Sequence, residues 1–490
     1  MRHFQPSERV LLAALLGLGL LVTAVELAHT PFAHPLTQFD DLRGTWCAGH
    51  ALASGADPYH VQPDLSCQHG LGMHVVRDSP NMVLPFVLPG WDTVAFSLLA
   101  RLPFPVAIVV HALLSLAALV AAIVLLVRVL RVPLALAAAG LTFAVAFQSL
   151  TLGQIGAYEV LAVVATGAAL HLRADRWAGV FAAAALIEPH IGVAVGLATL
   201  AFVPRARLPY LAAVAGLIAI ALWAIGVPAE LDYVLRNIPQ QARGEAGGLQ
   251  QFSVTFLARW FGAPTSVAIA LGSLSTILML GVGLVLAVRL APRERSALAL
   301  IPASCVVLGG TYVHLTHIAA AIPGALLLVG LARTPRERVA AGLSVILLAV
   351  PWYDVALVKQ LLPPTLTTIA VLTWALTTSW RATVAAVALC WLALLPVQNR
   401  PPAAPAPMLV TRQPDDAPGT QPWLDGHRAV PVTDPWYVLV KIPTWAGLLL
   451  LVGAAFSAST SSAGRTRRAA RPSLVRGSVS GAPAASRPLG

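Results

Sequence analysis

The sequence predicts an all-α polytopic membrane protein, and three observations carry that expectation. The 490-residue chain is 57% hydrophobic and only 11% charged, where a soluble domain carries about a quarter charged residues. Its apolar runs recur at lengths near the ~20 residues that a helix needs to cross ~30 Å of hydrocarbon. Lys and Arg collect in alternate gaps between those runs, as they do in the cytoplasmic loops of membrane proteins. A soluble enzyme is excluded. A nucleic-acid reader is excluded too, despite the net charge of +11, because its cations would cluster on one face beside stacking aromatics.

The spans fall at about 10–29, 104–127, 133–150, 155–172, 208–226, 266–290, 296–311, 316–332, 338–352, 363–379, 382–397 and 437–457. The first follows Arg2 and Arg9, but it exceeds a signal-peptide core and carries Glu26 where a cleavage site needs small residues, so it reads as an uncleaved helix. With the N-terminus inside, the cytoplasmic gaps hold 21 of the 32 Lys and Arg, from Arg2 and Arg9 to the tail between Arg465 and Arg487. The stretch 177–204 has basic residues on both sides and must go out and back. It is too short for two crossings, and a broken or re-entrant pair turning at Glu188-Pro189-His190 satisfies both demands, since Pro ends helices and irregular backbone at membrane depth needs a protein-lined cavity. About 12–14 membrane helices result.

This divides the chain into a polytopic domain over 1–397, an outer Pro-rich loop over 398–436, a last span over 437–457 and a basic cytoplasmic tail over 458–490. Three loops on the non-cytoplasmic side are long: 30–103, 227–265 and 398–436. The third is expected to be extended chain with little fold of its own, and the Ser-, Arg- and Pro-rich tail to be disordered and to touch anionic lipid. The Pro-interrupted segment 83–101 is expected to lie on the outer interface.

Ionisable side chains near membrane depth cost about 2.5–3.5 kcal/mol each on insertion scales, so those present are candidates for function. QFDDLRGTWCAGHALASGADPY supplies Asp40, Asp41, Arg43, His50, Asp57 and Tyr59. Gln154 and Glu159 stand at one outer turn, Glu188 and His190 at the tip of the broken pair, and His314 and His317 at another turn. Other readings remain open at this level. Gln154 beside Gly153 serves as a helix cap as readily as a ligand. Asp40 and Asp41 suit the acidic start of a short amphipathic helix. Asp57-Pro58-Tyr59 favours a turn in any protein. His314 and His317, spaced i and i+3, share a helix face, but no third ligand lies nearby in sequence, so phosphate contact or interfacial hydrogen bonding is preferred to a metal. Cys47 and Cys67 lie in one exported loop and are candidates for a disulfide worth about 3 kcal/mol.

These residues fall into a pattern. DLRGTW followed by GHALASGADPY resembles the D-F-x-x-Y-W and A-x-x-A-L-x-x-G-x-D-P-Y signature of glycosyltransferase family 87. LGQIGAYEVLAVVA, WAGVFAAAALIEPHIGV, GLQQFSVTFLARWFG and HLTHIAAAIPGALLL resemble four further segments of that family, in the same order, so the likeness spans about residues 10–330. It departs at Glu188, where the family usually has Lys, at Gly156, where it often has Asn, and at LPGW (88–91), where it has a Tyr-Pro-Pro turn.

The resemblance implies the C-type glycosyltransferase fold and a polyprenyl-phosphate-sugar donor, as in mycobacterial polyprenol-phosphate-mannose-dependent mannosyltransferases. It implies transfer of mannose or another hexose or pentose to a lipid or polysaccharide acceptor on the outer face of the plasma membrane, with inversion. The family spacing selects Asp41 as general base, with Asp40, Asp57 and Tyr59 supporting. His314, His317, Arg243, Arg259, His190, Glu188 and Gln154 are then candidates for binding donor phosphate or sugar, with neither cofactor nor divalent metal expected. The rival classes are a transporter or flippase of lipid-linked sugars, which would share broken helices and buried charges, and an inactive relative that binds such a lipid.

Overall fold

The computed structural model describes residues 39–73, 79–146, 149, 151–400, 410–428 and 434–469. Every named element in it is a helix, and the described residues contain no strand beyond two isolated bridges. The all-α polytopic expectation is met. Among the described residues, five helices are long and apolar enough to cross a membrane, and five further apolar helices have 10–17 residues. The expected span at 10–29 lies outside the described residues.

The apolar runs set the long helices. α4 (Phe104–Arg128), α9 (Arg207–Asp232) and α12 (Thr265–Leu290), by their order in the chain, turn large apolar side chains outward, among them Val109, Leu113, Trp223, Ile277 and Leu278. An exposed apolar surface of that extent is a lipid-facing surface. Inside, α6 (Gly156–His171) and α13 (Ala297–Gly309) are buried almost all round in one large apolar core.

The break at Glu188-Pro189-His190 is present. α7 (Asp175–Ala184) runs into a 3₁₀ turn at Ala185–Ile187, Glu188 turns extended with φ −124°, and α8 begins at Pro189 and ends at Phe202. A Cβ on Gly179 of α7 would lie 2.4 Å from the carbonyl oxygen of Ala206, just past the end of α8. The start of one half therefore meets the end of the other, and the pair is a hairpin whose tip is Glu188.

Several boundaries differ from the sequence reading. The span at 133–150 is α5 (Leu134–Leu141) followed by a π turn at Thr142–Ala146. The loop expected from 227 is largely helical: α9 kinks at Gly226, which has φ 84°, and continues to Asp232, and a π turn leads into α10 (Ile238–Glu245). Pro228 sits inside this helix because the kink has already broken the ladder that it would interrupt. The loop expected to be extended over 398–436 carries a helix at Thr420–Arg428 that packs on α10. The tail expected to be disordered from 458 continues the last helix to Ala469.

One end of the bundle carries a polar layer. α1 (Asp40–Ala53) is tied to α2 (Asp64–Gly70) by the Cys47–Cys67 disulfide, with Cα atoms 5.8 Å apart. α3 (Gly90–Leu99) is too short to cross and packs on α1 and α9. Phe39, Leu42, Tyr59, Phe86, Phe96, Phe104 and Tyr233 form a second apolar core beneath this layer. The opposite end holds the basic residues. Arg293 donates to the carbonyl of Leu331, the last residue of its helix, and to that of Ala458, and Arg295 pairs with Asp175 at 2.9 Å.

Candidate active site

Asp41 lies in the first turn of α1, and its Oδ2 accepts a hydrogen bond from Gln154 Nε2. Gln154 is not the cap of α6, whose N-cap is Ile155. The loop before α6 meets α1 directly: the Leu42 N–H donates to the Leu152 carbonyl at 3.2 Å. Gly153 makes this approach possible, because its φ is +76° and a Cβ there would stand 2.4 Å from the Leu42 Cβ. Gly153→Ala is accordingly expected to push α1 off the loop, lowering the unfolding temperature in detergent and costing up to about 10²-fold in turnover through a displaced Asp41. A variant with unchanged turnover would mean that the Asp41–Gln154 contact plays no part.

Two carboxylate–histidine pairs stand beside it. Glu188 at the hairpin tip meets His190 Nδ1 at 2.8 Å through one oxygen and His317 Nε2 at 3.5 Å through the other. His317 Nδ1 accepts the His314 N–H at 3.0 Å, so in its neutral form the proton sits on Nε2 and points at Glu188. The second pair is His314 Nε2 with Glu245 Oε2 at 3.4 Å. Glu245 is 4% exposed and also accepts from Trp423 Nε1 at 2.6 Å, Gln241 at 3.2 Å and Gln251 at 3.4 Å. Gln251 in turn accepts the Val313 N–H at 2.9 Å, and the Phe252 N–H donates to the Val313 carbonyl at 2.7 Å. The segment before the short helix α14 (Leu315–Ile318) is thereby clamped to the 251–252 turn. Tyr312 stacks on His314 at 4.6 Å and on His190 at 5.5 Å between ring centres.

The two groups form one site. Burial raises the Asp41 carboxyl to about 6; the Gln154 hydrogen bond and nearby His314 oppose the rise, and Asp40 and Glu245 add to it. Asp41 thus lies within electrostatic reach of the His314–Glu245 pair. A Cβ on Gly156, two residues past Gln154, would come 3.7 Å from the Thr316 carbonyl, which places the start of α6 against α14.

The remaining predicted residues take other places. Asp40 pairs with Arg43 at 2.9 Å. Asp57 Oδ1 accepts the Tyr59 N–H at 2.8 Å, an Asx turn, and Tyr59 stacks on Tyr233 at 5.1 Å in the core beneath α1. Arg259 of α11 (Val254–Trp260) donates to the Ala263 carbonyl in the loop that follows its helix, at 2.7 Å, while Arg243 is exposed. Neither arginine has a described contact with the histidines. Glu245, Tyr312 and Trp423 were not singled out from sequence. Glu245 follows Arg243 in a polar stretch that was read for its cation, and Trp423 lies in a stretch read as extended.

Glu188, His190 and His317 offer three donor atoms within 4.8 Å of one another, a spacing a metal accepts. The hydrogen bonds speak against it. The proton on His317 Nε2 occupies the position that would ligate, and Glu188 already receives both histidines.

Residues 89–311 match the family model of glycosyltransferase family 87, in agreement with the motif resemblance. No curated protein and no solved structure matches the chain. The matched segment contains Gln154, Glu188, His190 and Glu245. Asp41, His314 and His317 lie on either side of it and join it only in the folded chain. The match and the apolar helices together support a membrane glycosyltransferase.

Proposed function

We propose that the chain moves a sugar from a polyprenyl-phosphate-linked donor to a lipid or polysaccharide acceptor on the outer face of the plasma membrane, with inversion at the anomeric carbon. The observation that carries this reading is a half-buried carboxyl of raised proton affinity, Asp41, set beside a cluster of histidines backed by carboxylates. Asp41 accepts the proton of the acceptor hydroxyl while the acceptor oxygen forms the new bond and the bond to the donor phosphate breaks. The departing phosphate gains negative charge, and the rings of His314 and His190 are the groups available to bind it. Glu245 and Glu188 hold those rings in orientation. The polyprenyl chain lies between helices near the 83–101 segment.

The positive-inside pattern puts the Arg-rich end of the bundle, and both termini, in the cytoplasm. The polar layer then faces outward, away from the compartment where nucleotide sugars are made, which favours a lipid-linked donor. Mannose is the sugar that the motif resemblance favours. Membrane lipids and the two glycolipid substrates are the partners, and no cofactor is needed.

Comparing glycolipids from cells with and without the gene tests the reading. A product shortened by a single sugar is expected, whereas an unchanged set of glycolipids together with altered transport of a lipid-linked sugar would favour the flippase class. Treating the purified enzyme with a chelator should leave turnover within about twofold, since the histidines satisfy Glu188 without a cation. Loss of activity restored by a divalent ion would overturn the metal-free mechanism.

A further inference from the structure

A groove of about 620 Å³ opens at the Arg-rich end of the bundle, where the ends of α6, α8 and α12 meet the turn before α13. Arg173, Arg293 and Arg295 line it against a single carboxylate, Glu294. Phe202 and Val288 give it an apolar wall, and both are exposed. Val285, one turn before Val288 on α12, is exposed as well, so the groove runs onto the lipid-facing surface of that helix.

The three helix ends do not call on Arg173. α6 is closed by its own backbone, the N–H groups of Leu172, Arg173 and Ala174 donating to the Ala168, Leu170 and Ala169 carbonyls at 2.8–3.2 Å. The Leu290 carbonyl of α12 accepts the N–H groups of Arg293 and Glu294. The Leu200 and Ala201 carbonyls of α8 accept from Arg207, which lies outside the groove. The carboxylates are matched as well: Glu294 accepts from His171 Nδ1 at 2.9 Å and from the Ser296 N–H at 3.1 Å, and Asp175 pairs with Arg295. The Arg173 side chain is exposed and has no partner among the described residues.

A cation without a counter-charge, beside an apolar wall at the lipid boundary, suits a ligand that is anionic at one end and apolar at the other. Ligand sites commonly have about 300–1,000 Å³, so the groove takes a phosphate ester together with the start of its chain. We infer that it seats one anionic phospholipid of the cytoplasmic leaflet, the phosphate on Arg173 and Arg295 and an acyl chain along Phe202 and Val288. Basic pockets between membrane helices on that side bind acidic head groups in this way. The proposed function enters only through the orientation that puts this end in the cytoplasm. The lipid here is no substrate, since the groove and Asp41 lie at opposite ends of the bundle; it joins the ends of α6 and α8 and so braces the base of the hairpin whose tip is Glu188.

The test is lipid retention by the full-length protein in detergent, read by native mass spectrometry with phosphatidylglycerol, with phosphatidylcholine and with inorganic phosphate. The wild type is expected to hold one phosphatidylglycerol in preference to phosphatidylcholine. Arg173→Gln should weaken that binding about fivefold and Arg173→Glu about 30-fold, for one and two units of charge, while Arg173→Lys should stay within about twofold. Arg131 is the matched control: it is exposed and left-handed like Arg173, with φ 60° against 58°, but it stands three residues past α4 and outside the groove. Arg131→Gln should leave retention unchanged. Phosphatidylcholine retention should be the same in every variant, which also reports that each is folded. Equal retention of the two lipids by the wild type, or of phosphatidylglycerol by the wild type and Arg173→Glu, would overturn the inference. Equal losses from Arg131→Gln and Arg173→Gln would overturn it too, because net charge and not the groove would then select the lipid. Inorganic phosphate held through Arg173 with no gain from the lipid would do the same, since the seat would be for a free anion. Retention in detergent depends on neither leaflet nor turnover, and Asp41→Asn should hold the lipid as the wild type does. A wild type that retains lipid but transfers no sugar would therefore sink the reaction and leave the seat, and retention indifferent to Arg173 would do the reverse.

Discussion

Replacing Asp41 by Asn is expected to lower sugar transfer by about 10²- to 10⁴-fold, the usual contribution of a positioned base, while the protein folds and becomes harder to unfold. The two effects have one origin. Burial raises the Asp41 carboxyl from 3.8 to about 6, so the folded protein binds this proton more tightly than the unfolded chain does. Between about pH 4 and 6 stability therefore falls as pH rises, and above 6 the ionised carboxylate carries its full desolvation cost. Asn removes that cost at neutral pH, so a higher unfolding temperature in detergent should accompany the lost turnover. In the wild type, kcat/KM should rise about tenfold per pH unit up to about 6 and level off above it, because only the carboxylate accepts the proton. Transfer by the Asn variant within about tenfold of wild type would remove Asp41 from the base role.

Glu245→Leu should act on stability in the opposite direction. This carboxylate accepts from Trp423, Gln241, Gln251 and His314, and it is almost fully buried. Leu accepts from none of them, and each donor left unpaired costs about 1–3 kcal/mol. A loss of several kcal/mol is expected, with the Thr420–Arg428 helix detached from α10, His314 freed and transfer abolished. Glu245→Gln keeps the shape and one acceptor oxygen and should fall between. Thermal unfolding and limited proteolysis at residues 420–428 provide the measurement. A Leu variant with the wild-type unfolding temperature and an uncut 420–428 helix would show that Glu245 does not organise this layer.

Much of the site's scaffold was legible in sequence because it depends on neighbours along the chain. The length of each apolar run fixes most of the long helices, and Pro189 forces the break at the hairpin tip whatever packs against it. The two cysteines twenty residues apart do pair. The Asx turn at Asp57 is equally local.

What the sequence determined by itself was this class of information: a membrane-spanning all-α chain, its polar end, the hairpin and the acid at the start of α1. Hydropathy, proline and short spacing act over one helix turn or one span, and no distant residue is needed to express them. Only the tertiary structure decided which charges meet. Arg243 and Glu245 are two residues apart in one helix, yet one is exposed and the other is bonded to Trp423, 178 residues further on. Arg259 reads as a phosphate ligand from its motif, but it donates to the Ala263 carbonyl just beyond its own helix. Gln154 reads as readily as a cap as a ligand until α1 is laid over Gly153 and brings Asp41 to it. In each case a long side chain near membrane depth takes whichever partner the folded chain brings within reach, because leaving it unpaired there is costly, and that partner is set by helix packing across the bundle.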